Sequence, residues 1–390
     1  MADKRKLSTK EAKMRARKRD NQFKFIAIAV VASVLLIIMI FYFLNIDFVN
    51  VTGSQDTFTA TGNNGSFPYS IDTTSDTSIL SATRDNLIHL DDNNLYFINP
   101  SNGGNVKTVN HFYSNPVIDI NGKYVLTYDQ DKYRLRIDTS TNVICDNELE
   151  QNIITASISE NGTYAVATTS KKAFSQATIY SRSLKKLFTW YSTDGYIIDM
   201  AISDNGKYTA IAAIKSKDTL IDSTVHIFDN KTGEIIKKFE YHDNTIAHLQ
   251  YAGNSLFVLC DDEVSLIQNN EDKIDIVKHN SSVVICYDIP NNSDIRIVTG
   301  DYFDSPNSTL SVYNRKGELK KAIKLTGNVK SIAGSSSITS VLFDDKIEYY
   351  NSSYELKNTL KLDAGAFDIE YFSSNAYALT NQQIIKERLK

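Results

Sequence analysis

The 390-residue sequence has few of the residues that mark several common protein classes. It contains five prolines, one tryptophan and three cysteines, Cys145, Cys260 and Cys286. An odd cysteine count this low, with no metal-ligand spacing, excludes a disulfide framework and a zinc ribbon. We expect the cysteines to be buried thiols that pack as small hydrophobic residues, with a Cys260–Cys286 bridge as the alternative.

The sequence also lacks the motifs of the familiar catalytic and nucleotide-binding classes. No P-loop, GxSxG, HExxH or paired CxxC pattern is present. The six histidines are scattered, and His242 and His248 form the closest pair. We expect them not to hold a metal, so the sequence favours a protein that is not an enzyme and has no cofactor.

Positive charge is concentrated at the N-terminus and missing just after residue 44. Residues 1–24 contain ten Lys or Arg and three Asp or Glu, and no Lys or Arg lies between Asn45 and Thr83. Since the whole chain has a net charge of -4, the residues after 24 sum to -11. An acidic domain repels phosphate backbones, so we expect no nucleic-acid partner.

Residues 25–44 form a long run without charge, FIAIAVVASVLLIIMIFYFL. As a helix, a run of this length spans the hydrocarbon layer of about 30 Å. It is longer than the apolar core of a cleaved signal peptide, which predicts an uncleaved signal anchor. The basic flank predicts a cytoplasmic tail over residues 1–24 and an extracytoplasmic remainder, in a single-pass protein of the cell membrane.

Beyond a segment rich in Thr, Ser, Asn and Gly at residues 45–66, which predicts a flexible tether, one unit recurs. Its clearest copies carry an Asn-Gly turn followed by a tyrosine-led strand, at residues 119–124, 157–164 and 203–208. A period near 40 residues with four strand patterns, and no sustained helical periodicity, is typical of a β-propeller. Residues 67–390 are therefore predicted to form one all-β domain.

The number of blades follows from the third strand of each unit. These strands are predicted to begin near Leu95, Tyr133, Thr178, Val225, Val264, Leu310, Ile347 and Ile384. The last unit has three strands, and residues 67–72 can supply the fourth, which would close the ring and protect its edge. We predict eight four-stranded blades, with seven as the alternative.

The copies of the Asn-Gly turn, together with the hairpin FDNKTGEII at residues 228–236, resemble repeats of WD40-like, TolB-like and quinoprotein-like propeller blades. With the basic tail and the apolar run, the chain resembles a family of Gram-positive bacterial membrane-anchored β-propeller proteins of unknown function. The resemblance implies a propeller in the cell envelope. Its motifs specify turns and no chemistry.

Acidic residues recur where the second and third strands of a unit are joined. Five of these turns contain two of them each, namely Asp91/Asp92, Asp129/Asp131, Asp261/Asp262, Asp301/Asp304 and Asp344/Asp345. Gathered on one rim, they would suit Ca²⁺ or a cationic partner. The alternative is that Asp is preferred in turns because it bonds nearby backbone amides.

Two connections, residues 300–308 and 215–223, look longer than a tight hairpin needs, and long loops on a rigid ring often carry recognition. Tyr302 and Phe303 are predicted to be exposed aromatic anchors, the alternative being that this loop packs on its own blade. The candidate binding rim therefore comprises Asp261, Asp262, Asp301, Tyr302, Phe303, Asp304, Asp344 and Asp345.

The function predicted from these features is that of a membrane-anchored extracytoplasmic β-propeller that binds or scaffolds components of the cell envelope. Its partner would be another envelope protein, a peptide or a wall polymer. The alternatives are a lactonase-like or quinoprotein-like propeller enzyme, and a ligand sensor that works through a membrane partner.

The predicted topology can be tested with protease added to intact protoplasts. We expect the large C-terminal domain to be removed and a small fragment with the basic tail and the anchor to remain, as immunoblotting with tags at the two termini would show. Protection of the large domain would contradict the orientation.

Overall fold

The computed structural model describes residues 66–72, 75–217, 220–261, 263–268, 270, 272–278, 282–291, 293–362 and 365–388. Within these residues, 32 strands form eight antiparallel four-stranded sheets. The fold is thus an all-β propeller of eight blades. The predicted cytoplasmic tail, signal anchor and nearly all of the tether lie outside the described residues. In the described part of the chain, no helix has the length and apolarity needed to cross a bilayer.

Strand β1 (Tyr69–Ser70) comes first in the chain but belongs to the last blade. Blade 1 contains β2 (Ser78–Ala82), β3 (Leu87–Asp91), β4 (Asn94–Ile98) and β5 (Asn105–Asn110), and blade 2 contains β6 (Pro116–Asn121), β7 (Tyr124–Asp129), β8 (Arg134–Asp138) and β9 (Val143–Glu148). Blade 3 contains β10 (Ile153–Ile158), β11 (Tyr164–Thr169), β12 (Ser175–Tyr180) and β13 (Lys186–Ser192), and blade 4 contains β14 (Tyr196–Ile202), β15 (Tyr208–Lys217), β16 (Leu220–Asp229) and β17 (Glu234–Tyr241).

Blade 5 contains β18 (Ile246–Ala252), β19 (Ser255–Cys260), β20 (Glu263–Gln268) and β21 (Asp272–Lys278), and blade 6 contains β22 (Val283–Asp288), β23 (Ile295–Gly300), β24 (Asn307–Tyr313) and β25 (Leu319–Thr326). Blade 7 contains β26 (Val329–Gly334), β27 (Ile338–Phe343), β28 (Lys346–Asn351) and β29 (Leu356–Lys361). Blade 8 contains β30 (Ala366–Phe372), β31 (Asn375–Thr380) and β32 (Gln383–Arg388) together with β1.

The predicted repeat is confirmed strand by strand. Each predicted third-strand start falls within two residues of an observed one or inside the observed strand. The glycines of the recurring turns, Gly122, Gly162 and Gly206, have φ angles of 60°, 89° and 68°. Residues with a Cβ rarely adopt this left-handed region, which explains why glycine follows asparagine there.

One prediction about connections is wrong. Residues 215–223 were expected to form a loop, but residues 215–217 continue β15 and residues 220–223 belong to β16, with Lys215 paired to Asp222 and Lys217 paired to Leu220.

The alternative disulfide is also wrong. Cys260 on β19, Cys286 on β22 and Cys145 on β9 are all thiols that form no disulfide. Cys145 and Cys260 are buried and Cys286 is half-buried.

Neighbouring blades are held together by apolar side chains that pack in shared core clusters. One core cluster combines Ala210 and Val225 of blade 4 with Leu249 and Val258 of blade 5. The fourth strands are largely exposed, as in β17, β25 and β29, since they form the outer edge of the ring. The first strands of neighbouring blades lie side by side and surround a central channel.

The ring closes through a blade built from both ends of the described chain. Strand β1 pairs antiparallel with β32, with Tyr69 opposite Ile384 and Ser70 opposite Gln383. Tyr69 is 3% exposed, and its hydroxyl donates a hydrogen bond to Asn105 Oδ1 of blade 1 at 2.8 Å. This strand therefore ties blade 8 to blade 1 and confirms the predicted closure.

Antiparallel order gives the ring two chemically distinct faces. The turns between the second and third strands and the connections between blades emerge on one side, which we call the connection face. The remaining turns emerge on the other side, the opposite face. The described chain enters the ring at the opposite face, where Ser66 contacts Gly103 in the β4–β5 turn.

The closure predicts a large effect of Tyr69→Ala in the full chain. Loss of a buried aromatic side chain should lower the free energy of unfolding by about 3 kcal/mol or more, measured by denaturant unfolding. Tyr133→Ala is the matched control because that tyrosine is 41% exposed. Equal stability of the two variants would contradict closure through β1.

Candidate protein-binding face

Exposed aromatic side chains are confined to one side of the ring. All eight that the described residues expose lie on the connection face or at strand ends bordering it, namely Phe112, Tyr133, Phe174, Tyr191, Tyr196, Tyr302, Phe303 and Phe367. Single exposed apolar residues are normal on protein surfaces, but gathering on one face is typical of an interaction site. The connection face is therefore the candidate site.

The opposite face has a different composition. Its recurring turns are polar, with the sequences Asn-Gly-Lys after β6, Asn-Gly-Thr after β10 and Asp-Asn-Gly-Lys after β14. These residues are there because a tight turn needs them. The two faces thus differ in aromatic content, although one topology generates both.

Tyr302 and Phe303 lie where the sequence predicted exposed anchors. They are 56% and 67% exposed, in the loop between β23 and β24. The loop is closed by its own backbone, since the Ser305 amide donates to the carbonyl of Phe303 at 2.7 Å. Their role as binding anchors, and the alternative that this loop packs on its own blade, both stay predictions.

The structure brings two predicted acidic residues together around a lysine. Lys330 Nζ on β26 lies 3.0 Å from Asp304 Oδ1 and 3.1 Å from Asp344 Oδ1. Hydrogen bonds to the two carboxylates raise the pKa of Lys330. Asp301 and Asp345 are exposed, and their carboxylates have no ion-pair partner among the described residues. Negative charge on this rim is therefore partly neutralised.

Other predicted acidic turn residues have structural roles. Asp261 Oδ1 accepts the Thr245 amide at 2.9 Å, and Asp129 Oδ1 accepts the Asn115 amide at 2.8 Å. Asp92 accepts the amides of Asp76 and Thr77. These bonds fasten each turn to a connection between blades that is 14 to 16 residues away in the sequence, and not to amides of the turn itself. Asp262 lies outside the described residues.

The structure lends no support to a metal site in the part of the chain it describes. No three His, Cys, Asp or Glu side chains there are arranged to hold an ion. His242 is exposed beside Asp222 and Glu240, whereas His248 lies on β18 beside Asp199. The two histidines therefore do not form a common site.

A pocket that the sequence did not predict lies between blades 3 and 4 on the connection face. It has a volume of about 440 Å³ and is lined by Phe174, Asp194, Gly195, Tyr196, Ile214, Lys215, Ser216 and Ile221. The rings of Phe174 and Tyr196 meet edge to face with centroids 5.1 Å apart. Three separate segments supply its walls, so no local motif marks it.

The central channel is a second feature that sequence reasoning missed. In blades 2 and 4 an acidic side chain on the innermost strand accepts a backbone amide of the next blade. The pairs are Asp119 with Ile158 at 2.8 Å and Asp199 with Leu249 at 2.7 Å. Asp288 and Asp368 lie on the innermost strands of blades 6 and 8. The sequence signal that could have indicated the channel was the presence of charged residues within apolar strand patterns.

His248 and Asp199 form the closest charged pair in the channel. His248 Nδ1 lies 3.0 Å from Asp199 Oδ2. Burial alone would lower the pKa of His248, but the hydrogen bond and the negative charge of Asp199 outweigh it and raise that pKa. Asp119 lines the same cavity, of about 520 Å³, and burial raises its pKa.

The other side of the channel holds carboxyl groups with raised pKa values. Burial, together with the negative charges of Asp288 and Asp368, raises the pKa of Glu370 to about 8. Burial also raises the pKa of Asp288 to about 6, although Arg296 opposes the shift. At neutral pH, Glu370 is therefore mostly protonated.

Glu370 should make stability depend on pH. Between its ordinary pKa of 4.5 and its folded pKa of about 8, the folded chain keeps a proton that the unfolded chain has lost. Stability should therefore fall as pH rises through this range, by up to ~1.4 kcal/mol per pH unit. Glu370→Gln should flatten the profile, measured by denaturant unfolding at several pH values. The exposed Glu234→Gln is the control, and an unchanged slope in Glu370→Gln would contradict the assignment.

Comparison with known proteins gave a family and a structural neighbour. No curated protein matches the chain. Among solved structures, the chain is similar to BamB from Moraxella catarrhalis, with 11% sequence identity, a TM-score of 0.49, and coverage of 80% of this chain and 96% of that chain. A family profile described as "Family of unknown function (DUF5711)" matches residues 63–387. Because the match covers most of the sequence, the chain belongs to the DUF5711 family.

Proposed function

We propose that the chain is a membrane-anchored extracytoplasmic β-propeller that acts as a non-catalytic binding or scaffolding protein of the cell envelope. Its partner is another envelope protein, held against the connection face. The observation that carries this proposal is the confinement of the exposed aromatic residues to that face.

Aromatic residues are enriched at protein interfaces because each offers a large, rigid contact surface. Phe112 is 72% exposed and Phe303 is 67% exposed, so each has most of its ring available to a partner. Both stand on a ring of eight four-stranded sheets. A rigid surface loses little conformational entropy on binding, which favours affinity.

The charge on this face differs from place to place. Asp301 and Asp304 flank Tyr302 and Phe303 in the chain, and Lys330 pairs with Asp304 and Asp344. A partner that places basic groups there would gain complementary contacts, and charges at an interface rim mainly raise the association rate and set specificity. The acidic rim therefore supports a partner that is basic on this side.

The location of the protein is part of the same proposal. The uncharged run at residues 25–44 and the ten basic residues before it support an anchor with a cytoplasmic tail at residues 1–24. Residues 45–66 would then be the tether, and residues 67–390 the extracytoplasmic domain.

Site-specific photo-crosslinking in living cells tests the proposal. A photoreactive residue replaces Phe112 or Phe303 on the connection face of the full chain. Lys123 and Asn205, exposed in turns on the opposite face, are the matched control positions. We expect the same envelope protein to be captured from both connection-face positions and from neither control, as mass spectrometry would show.

A second arm replaces Asp301 and Asp345 with Asn and leaves the Lys330 ion pairs intact. We expect weaker capture from Phe303 with little change at Phe112, because a charge acts mainly on nearby groups. Equal capture from both faces, or capture from the opposite face alone, would refute the assignment of the binding face.

A further inference from the structure

The hairpin of β15 and β16 extends beyond the rest of blade 4. Each of these strands has ten residues, whereas β14 has seven and β17 has eight. Strand β14 pairs with β15 only as far as Tyr196 opposite Ile214. Beyond Ile214, the edge of β15 on the β14 side has no neighbouring strand among the described residues. An unpaired strand edge of this kind is a template for another strand.

The chain before β14 passes close to β15 at Ile214, and it forms no strand beside Ser216 and Lys217. A Cβ added at Gly195 would lie 2.4 Å from the carbonyl oxygen of Ile214, so only glycine allows the two backbones to approach this closely. Ser192 Oγ donates to the Gly195 carbonyl at 2.6 Å and holds the turn. Hence Gly195 has no side chain to cover the neighbouring edge.

The open edge borders the apolar pocket between blades 3 and 4. Phe174 is 49% exposed, Tyr196 57% and Ile221 44%. These side chains come from the β11–β12 turn, from the start of β14 and from the tip of the hairpin. A strand added along β15 would place alternate side chains toward this pocket.

Several lysine side chains lie near the pocket. Lys171 and Lys172 are exposed in the same turn as Phe174. Lys215 lines the pocket, and its Nζ is 3.9 Å from Asp194, the one acidic side chain of the lining. The chain after residue 24 is acidic overall, so this cluster is a local reversal of charge. Such a reversal favours carboxylates in the partner.

We infer that this pocket binds an extended segment of a partner protein by strand addition to β15. An apolar side chain of the segment fills the space between Phe174, Tyr196 and Ile221, and flanking carboxylates lie toward the lysines. In this mode the main chain supplies hydrogen bonds and the pocket supplies specificity. The inference rests on the proposed function and names the chemistry of the partner on this part of the connection face.

A random heptapeptide library displayed on phage, selected against the full chain in lipid nanodiscs, is the probe. We expect enriched peptides to carry an aromatic or aliphatic residue flanked by Asp or Glu. Their affinity, measured with synthetic peptides, should fall tenfold or more in Phe174→Ser and in the double variant Lys171→Glu, Lys172→Glu. Leu356→Ser, at an exposed apolar position on the opposite face, is the matched control and should bind as the unchanged protein does.

Hydrogen exchange distinguishes strand addition from simple filling of the pocket. Bound peptide should slow amide exchange in residues 215–217. No enrichment, equal binding by Phe174→Ser, or an unchanged exchange rate would each overturn the inference. A dimer of the full chain that is lost in Phe174→Ser would also overturn it, because a second copy would then be the occupant.

Failure of this inference can be told apart from failure of the proposed function. If crosslinking from Phe112 and Phe303 still captures the envelope protein while no peptide binds at Phe174, only the strand-addition site is refuted. If peptides bind at Phe174 but crosslinking from Phe112 and Phe303 captures nothing, the site stands, and the broader binding face is refuted.

Discussion

Burial of each blade against its two neighbours is the constraint on which the structure depends. A four-stranded sheet alone would leave both apolar faces in water, so a ring is the arrangement that covers all of them. The joint between the last and first blades needs a strand from the start of the domain, and β1 with its buried Tyr69 supplies it. Closure in this way also shields the outer edge of β32, which would otherwise be free to pair with another chain.

The inner strands add polar joints to this apolar packing. Asp119, Asp199, Asp288 and Asp368 belong to blades 2, 4, 6 and 8. Asp119 and Asp199 each accept an amide of the blade that follows. The sequence separation between Asp119 and Asp288 equals that between Asp199 and Asp368, so the pattern repeats after four blades. A carboxylate that is taken out of water needs such donors to stay charged. Where donors are few, as at Glu370, the group keeps its proton instead.

The two faces of the ring differ in the side chains that they expose. On the opposite face the recurring Asn-Gly turns are selected for backbone geometry. The connection face carries the exposed aromatic side chains and the acidic rim. Function on a rigid scaffold is expected in the segments that join its strands. The exposed aromatic residues are why the connection face, and not the channel, is assigned to the partner.

The sequence by itself determined the class of fold, the blade number and the position of the closing strand. These features are local: strand alternation, and turns where Gly162 or Gly206 must adopt a positive φ, can be read from a few neighbouring residues. Exposure of Tyr302 and Phe303 was predicted for the same reason, since their loop is too long for a hairpin. The roles of the acidic residues in the turns were predicted only in part. Asp261 and Asp129 bind backbone amides of a connection distant in sequence.

Only the tertiary structure decided which distant residues meet. Asp304 and Asp344 share Lys330 because the β23–β24 and β27–β28 turns are adjacent on the ring. His248 meets Asp199 because the inner strands of blades 4 and 5 lie side by side. The pocket at Phe174 and Tyr196 exists because β14 stops short of the hairpin beside it. The curvature of a closed ring sets these contacts, and no local pattern of residues encodes that curvature.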